Sequence, residues 1–482
     1  MLLSISINGT FIAASQDAGG VGRHPKTAVV GGPSNPPWSD CIVRSAVFLM
    51  AGVVMAWAVA PAASLELSIV DTGAKAGGEV VCTQAVQQAV EKVASAGGGR
   101  VVVPNGVFLT GAITLRQGVE LHLAEGAVLL GSTDLADYPK GMTRIEGHFE
   151  PWRPALVNAE GLAGVRITGP GTLDGNGRPF WQAFWKRRAE NPKCTNLEVE
   201  RPRLMYLADC SDVTISGIRL KDSGFWNLHV YKCRDVTIEG VSITAPHGSP
   251  PKITGADMPW DEVSIDRAPS SDGIDVDSSQ RVTIRGCRIS VGDDCIALKG
   301  TKGPLAMDDA TSPPVEAITI TDCDFDSGHG VLTCGSEATI IRNVTLRDCR
   351  VGADIPVVRL KLRPDTPQLY ENISVDGIRA EDAQAIFDVK PWKQFFDLQG
   401  HAPPKSVVRN VSVRNVAGSF RSLGELRGNP GDEIEGIALA DIDITVASPK
   451  LIRNDDQAIE CTNVSVNGRG FSLATAAAVA AP

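Results

Sequence analysis

The chain has 482 residues and a formal net charge of −10, from 46 Lys and Arg against 56 Asp and Glu. That balance argues against nucleic acid as the main partner, though an acidic polysaccharide remains open wherever basic residues collect locally. With 49 Gly, 30 Pro and only 5% aromatic residues, the composition suits many turns and short strands, and the length suits either two or three ordinary domains or one elongated repeat domain.

The first feature in chain order is an apolar run from Ala46 to Val59, preceded by Arg44 and followed by the small residues Ala60-Pro61-Ala62. This is the layout of a secretory signal, too short for a membrane span. The polar, Gly-rich residues ahead of Arg44 are foreign to a signal, so translation is expected to begin just before Arg44. Residues 1–62 are therefore read as an N-terminal extension and signal peptide, 63–470 as one folded domain, and 471–482 as a disordered tail. An exported protein, secreted or periplasmic, has no membrane contact once the signal is removed.

Thr83 to Ala96 has helical spacing, with Ala85, Val86, Ala89, Val90 and Val93 on one face and Gly97 to Gly99 as its stop. Short strands follow at Arg100–Val103, Ala112–Leu115, Val119–Leu123 and Ala127–Leu130. One helix ahead of a long strand array predicts a cap on an open sheet end.

From Val165 onward an apolar-x-apolar motif recurs, beginning at Val213, Val236, Val282, Ile318, Val344, Ile373, Val411 and Ile437, with a weaker copy at Val464. Spacings are mostly about 23 to 29 residues, longer where loops are inserted. A period in that range means a solenoid or a propeller, and units of two or three strands without a helix favour a parallel β-helix. The last apolar slot of the motif holds Cys287, Cys323 and Cys349 where other copies hold Ile or Val. These three are expected to be free thiols stacked in the core, not metal ligands or disulfides. Cys210 and Cys233 form a second equivalent pair, either stacked or bridged. Asn343, Asn372, Asn410 and Asn463 each directly precede a motif copy, as turn residues that tolerate left-handed backbone and can stack in ladders.

The largest insertion, Pro246 to Ala268, brings Trp260, Asp261 and Glu262 towards Asp272. About 20 residues later, close to one coil of the repeat, comes the pair Asp293-Asp294. Neighbouring strands lie roughly 4.8 Å apart, so the three carboxylates should crowd one patch. Crowded carboxylates shift one another's pKa, so that one holds a proton near neutral pH while another stays ionised. Such a pair is what hydrolysis of a glycosidic bond needs. Gly328-His329-Gly330 follows, and then Arg359-Leu360-Lys361, whose two cations share one face of a strand and could grip an anionic substrate.

Taken together these stretches resemble the polygalacturonase family, glycoside hydrolase family 28. Gly292-Asp293-Asp294, Gly328-His329-Gly330 with Gly335-Ser336-Glu337, and Arg359-Leu360-Lys361 carry the resemblance, with Gly169 to Gly177 and Phe225-Trp226-Asn227-Leu228-His229 as earlier signatures. Ser270-Ser271-Asp272-Gly273-Ile274-Asp275 matches at Asp272 but has Ser-Ser where the family usually has Asn-Thr. The resemblance implies an all-β, single-domain, right-handed parallel β-helix with an N-terminal capping helix. It implies a monomeric enzyme, without cofactor or metal, that cleaves α-1,4-galacturonosyl linkages of a pectic polysaccharide or oligogalacturonide by inverting hydrolysis. Asp293 would be the general acid, Asp272 and Asp294 would hold and activate water, His329 would support the acid, and Arg359 and Lys361 would bind a galacturonate carboxylate. The insertion and the Ser-Ser change point to exo-acting or rhamnogalacturonan-cleaving members as the variants to weigh. The readings that compete are a Ca²⁺-dependent β-eliminase and a non-catalytic β-helix adhesin.

Overall fold

The computed structural model describes residues 64–252, 259–260, 263–393, 397–454 and 457–472. The signal-like run, Asp261, Glu262 and nearly all of the expected tail lie outside them. Three parallel sheets, stacked coil upon coil, form a right-handed parallel β-helix. The recurring motif builds the first sheet. Val213 pairs with Val236, Val236 with Val282, Val282 with Ile318, Ile318 with Val344 and Val344 with Ile373, in unbroken register. The first and third residues of each copy are buried and the second is not, as alternation in a strand requires. The last copy behaves differently: Val464 pairs with Ile442 and Ile459 with Ile437, so this copy belongs to the second sheet.

The coils turn at left-handed residues. Asp212, Asp235, Arg281, Ala317, Asn343, Asn372, Asn410 and Asn463 all immediately precede a motif copy and all have φ between 51° and 58°. Most are Asp or Asn, the side chains that tolerate this conformation best. The asparagines also form the anticipated ladder, with Asn372 donating to Asn343 at 3.1 Å and Asn410 to Asn372 at 3.0 Å.

Helix α1, Thr83–Ser95, buries Val86, Ala89, Val90 and Val93 against the first coil and closes that end of the stack. Gly99 follows it where a side chain would collide with the carbonyl of Leu65 on the neighbouring strand. At the far end, Arg469–Gly470 folds back antiparallel on the last strand, which covers the open edge. A second helix, α2 at Arg178–Glu190, breaks the expectation that the units carry no helix. It buries Phe180, Trp181, Phe184 and Trp185 on the outside of the barrel. In its sequence, RPFWQAFWKRRAE, those four aromatics recur at i, i+1, i+4 and i+5, a helical stripe that the reading of strands passed over. No helix among the described residues is long and apolar enough to cross a membrane.

Cys287, Cys323 and Cys349 are buried free thiols on successive coils, and Cys323 interacts with both of the others. Cys210 and Cys233 are also free and buried, which resolves that pair as a stack. The third sheet is different in kind. Its strands Met205–Ala208, Leu228–Tyr231, Ile274–Asp277 and Ile296–Lys299 are buried at every position. One face packs on the core; the other is roofed by the hairpin Gly141–Ile145/His148–Trp152 and by polar side chains. That doubly covered face holds the candidate site.

Candidate active site

Asp272 and Asp294 sit just ahead of paired strands of the third sheet, where Ile274 lies opposite Ile296 and the Gly273 amide donates to the Asp294 carbonyl at 2.9 Å. The carboxylates therefore stand on neighbouring coils, as the spacing suggested. All six residues singled out from sequence line one cleft of about 260 Å³: Asp272, Asp293, Asp294, His329, Arg359 and Lys361. Within it the three aspartates are not equivalent. The side chain of Asp293 is 26% exposed, whereas that of Asp294 is 1% exposed.

Asp294 is pinned. Lys361 Nζ lies 2.5 Å from one carboxylate oxygen, while Thr333 Oγ1 donates to the other at 3.0 Å and Arg359 reaches it at 3.5 Å. Burial pushes its carboxyl up, but Lys361 and Arg359 outweigh that and hold it below its ordinary value. Asp293 accepts from His329 Nδ1 at 2.9 Å and from the Asp294 amide at 3.0 Å. Arg267, a residue of the long insertion, meets His329 Nε2 from the other side. A guanidinium can only donate, so Nε2 accepts and Nδ1 carries the proton given to Asp293. Burial again acts upward on Asp293, and His329, Lys361 and Arg359 more than reverse it.

Asp272 goes the opposite way. Burial, reinforced by Asp293 and Asp294, pushes its carboxyl up to about 7 against the pull of Lys299. The Lys299 ammonium stands 3.2 Å from Asp272 and 3.4 Å from Asp275, and 4.6 Å above the Trp226 ring. The pattern meets the physical requirement for acid–base chemistry: carboxyl groups in one cleft with proton affinities driven apart.

Arg359 and Lys361 lie two apart on strand Pro356–Leu362 and both approach the Trp392 ring, at 5.7 Å and 4.8 Å. Arg359 also pairs with Asp388 at 3.2 Å and donates to the His329 carbonyl at 2.6 Å. Both cations thus have anionic partners within the protein itself.

Several residues escaped the sequence reading. Asp275 stands inside a quoted motif and Lys299 five residues after another, but only the fold shows that they meet. Glu146 and Asn196 come from segments distant in sequence, with Asn196 donating to Glu146 at 2.8 Å. Trp392 and Arg267 carry no local signal at all. Trp260, expected beside the site, is instead buried, where its carbonyl takes a hydrogen bond from Gln182 of α2. His229, part of an early signature, is fully buried: Arg203 donates to its Nδ1 at 2.7 Å, and Asp277 lies 3.4 Å from its Nε2.

The hairpin forms one wall. Its tip, Glu146-Gly147, presses on Gly300 and Glu337, where a β-carbon on Gly147 would come within 3.0 Å of both. Arg144 of the hairpin donates to Asp277 at 3.0 Å, and Arg203 donates to the Arg144 carbonyl at 2.7 Å, all fully buried. This anchoring fixes the wall relative to the carboxylates.

The model of glycosyl hydrolases family 28 matches residues 98–472. A probable polygalacturonase of Vitis vinifera is 28% identical over 402 residues, spanning 79% of this chain and 74% of the relative. An exopolygalacturonase of Zea mays is 27% identical over 366 residues, spanning 73% of this chain and 76% of the relative. Among solved structures, a hyperthermoactive exopolygalacturonase from Thermotoga maritima superposes with a TM-score of 0.71 at 25% identity, covering 85% of this chain and 93% of that one.

Proposed function

This chain belongs to glycosyl hydrolases family 28 and is a glycosidase of O-glycosyl compounds, and from that premise we propose that it hydrolyses α-1,4-galacturonosyl linkages of a pectic polysaccharide from the chain end, by inversion. The observation that carries this reading is the placing of three unlike carboxyl groups beside two cations in one cleft. The relatives' names, polygalacturonase and exopolygalacturonase, support the same substrate class.

In this reading a galacturonate residue enters with its carboxylate towards Arg359, Lys361 and Trp392. Those two cations lower the proton affinity of Asp293 and Asp294. An arriving carboxylate takes up part of their positive charge and adds a negative one. Both changes raise the proton affinity of Asp293, so the substrate itself readies the general acid. Asp293, the most accessible of the three, then protonates the leaving oxygen. Water held between Asp272 and Asp294 attacks the opposite face and yields its proton to the ionised partner. His329, hydrogen-bonded to Asp293, orients the acid and, through its Nδ1–H, stabilises the carboxylate left when the proton has gone. The Glu146-Gly147 tip closes the cleft beside Glu337, and a wall there favours a chain end over a polymer that runs through. The apolar run at Ala46 to Val59 supports export of the enzyme to where its polymer lies.

Reducing-sugar release and product sizing on polygalacturonate and on rhamnogalacturonan test the proposal. Monomer accumulating early from polygalacturonate is the expected result. Release from rhamnogalacturonan alone would transfer the site to that polymer, and a ladder of early oligomers would remove the chain-end assignment.

A further inference from the structure

We propose that Asp275 is a positioning residue that keeps a proton in the folded enzyme and, together with Lys299, sets the protonation of Asp272 through a buried three-membered cluster. The inference rests on the reading of Asp272 as one of the two water-activating groups. Asp275 is 0% exposed, and neither of its carboxyl oxygens has a well-formed hydrogen bond from any of the described residues. Among the described residues the cation paired with it is Lys299, at 3.4 Å, and that ammonium is shared with Asp272 at 3.2 Å. Two carboxyl groups and one ammonium in a dry place reach neutrality when one carboxyl is protonated. A carboxylate that lacks a donor partner is costly to bury, and a neutral acid is far less so. The proton falls to Asp275, the deeper of the two and the farther from the shared ammonium.

The wider surroundings agree. On the preceding coil His229 lies opposite Asp275 in register, with its own acidic partner Asp277 and with Arg203 donating to its ring. On the following coil the register partner is Ala297, which brings no charge. Asp293 and Asp294 raise Asp272 and Lys361 lowers it, whereas the strongest neighbour acting on Asp275 is Asp272 itself. Glu337 joins Asp272, Asp275 and Asp294 in holding Lys299 charged. Burial and these charges raise Asp275 well above an ordinary aspartate and keep Lys299 fully protonated.

Asp275→Asn, which keeps the shape and a donor but cannot ionise, and Lys299→Met test the cluster in two independent ways. The first needs no substrate. A carboxyl with a raised folded pKa stabilises below its unfolded pKa, and that stability is lost as pH rises. The Tm of the parent should therefore fall more than that of Asp275→Asn between about pH 5 and pH 8, because the variant lacks one proton taken up on folding. A constant difference in Tm across that range would mean that Asp275 is ionised in the fold, and would overturn the proposal. The second is the pH profile of kcat/KM. Lys299→Met should move the acidic limb upward by about one pH unit or more, and Asp275→Asn should leave its midpoint where the parent has it. A limb unmoved in Lys299→Met, with rates merely lowered, would reduce Lys299 to a structural role and sink the proposal, as would a downward shift in Asp275→Asn. A parent that cleaves no glycoside would remove the functional reading while the unfolding measurement still decides the protonation of Asp275.

Discussion

His329 Nδ1 lies 2.9 Å from Asp293 Oδ1, and the backbone repeats the link, with the His329 amide donating to the Asp293 carbonyl at 2.8 Å. The two residues are 36 apart in sequence and are brought together by one turn of the coil. A side-chain and a main-chain tie between the same two residues fix the angle at which the acid meets a leaving oxygen. Asp293→Asn removes the transferable proton and leaves this frame in place. Its turnover should fall about 10² to 10⁴-fold, the usual worth of a general acid. At neutral pH its thermal unfolding temperature should also fall, because the fold holds the Asp293 carboxylate below its ordinary value and an amide gives up that stabilisation. Near-normal turnover in the purified variant would exclude Asp293 as the acid.

Lys361→Met carries a different expectation from the one its sequence alone suggests. On a strand face a lysine exchanged for methionine keeps its stem and its packing. Here the ammonium is the closest partner of a carboxylate that is 1% exposed. Breaking one half of a buried pair costs about 3 to 5 kcal/mol. The variant should lose that stability at neutral pH as well as activity on polygalacturonate. Asp294 has a depressed folded pKa, so the stability it contributes is present above its unfolded pKa and disappears as the pH falls. The gap between parent and variant should therefore narrow on acidification, as Asp294 protonates. Chemical denaturation at two pH values checks this, and a gap independent of pH would mean that the pair is not charged.

The thiol stack gives a test free of catalysis. Cys287, Cys323 and Cys349 are buried and unbridged. Unfolded protein should titrate with a thiol reagent without added reductant, whereas folded protein should react slowly at these three. Peptide mapping that finds any of them in a disulfide would contradict the stack.

The coil was legible because period and register are one-dimensional properties. The apolar residues of the motif and the left-handed Asn and Asp ahead of it recur at a near-fixed spacing, and Val213, Val236 and Val282 duly fall in line. The failure at Val464 has the same root, since one apolar-x-apolar copy resembles another and only strand pairing tells the first sheet from the second. The six residues singled out in the cleft were legible because they fall in four short motifs, one to a coil. Trp392, Glu146 and Arg267 were not, because each arrives from a loop or hairpin whose path no periodicity constrains. Helix α2 was missed although Phe180, Trp181, Phe184 and Trp185 share one helical face, because that stripe lies in an insertion outside the strand repeat. Lys299 and Asp275 stood in plain view, but a Lys and an Asp 24 apart have no visible relation until the coil places them 3.4 Å apart.

Proton NMR of the first products from polygalacturonate tests the central claim most directly, because one spectrum reports bond type, product size and anomeric outcome together. The account predicts saturated galacturonate monomer appearing first as the β-anomer and then mutarotating, the mark of single-displacement inversion on an α-linkage. An initial α-anomer would require a covalent intermediate and contradict the roles given to Asp272, Asp293 and Asp294. Unsaturated products would contradict hydrolysis altogether.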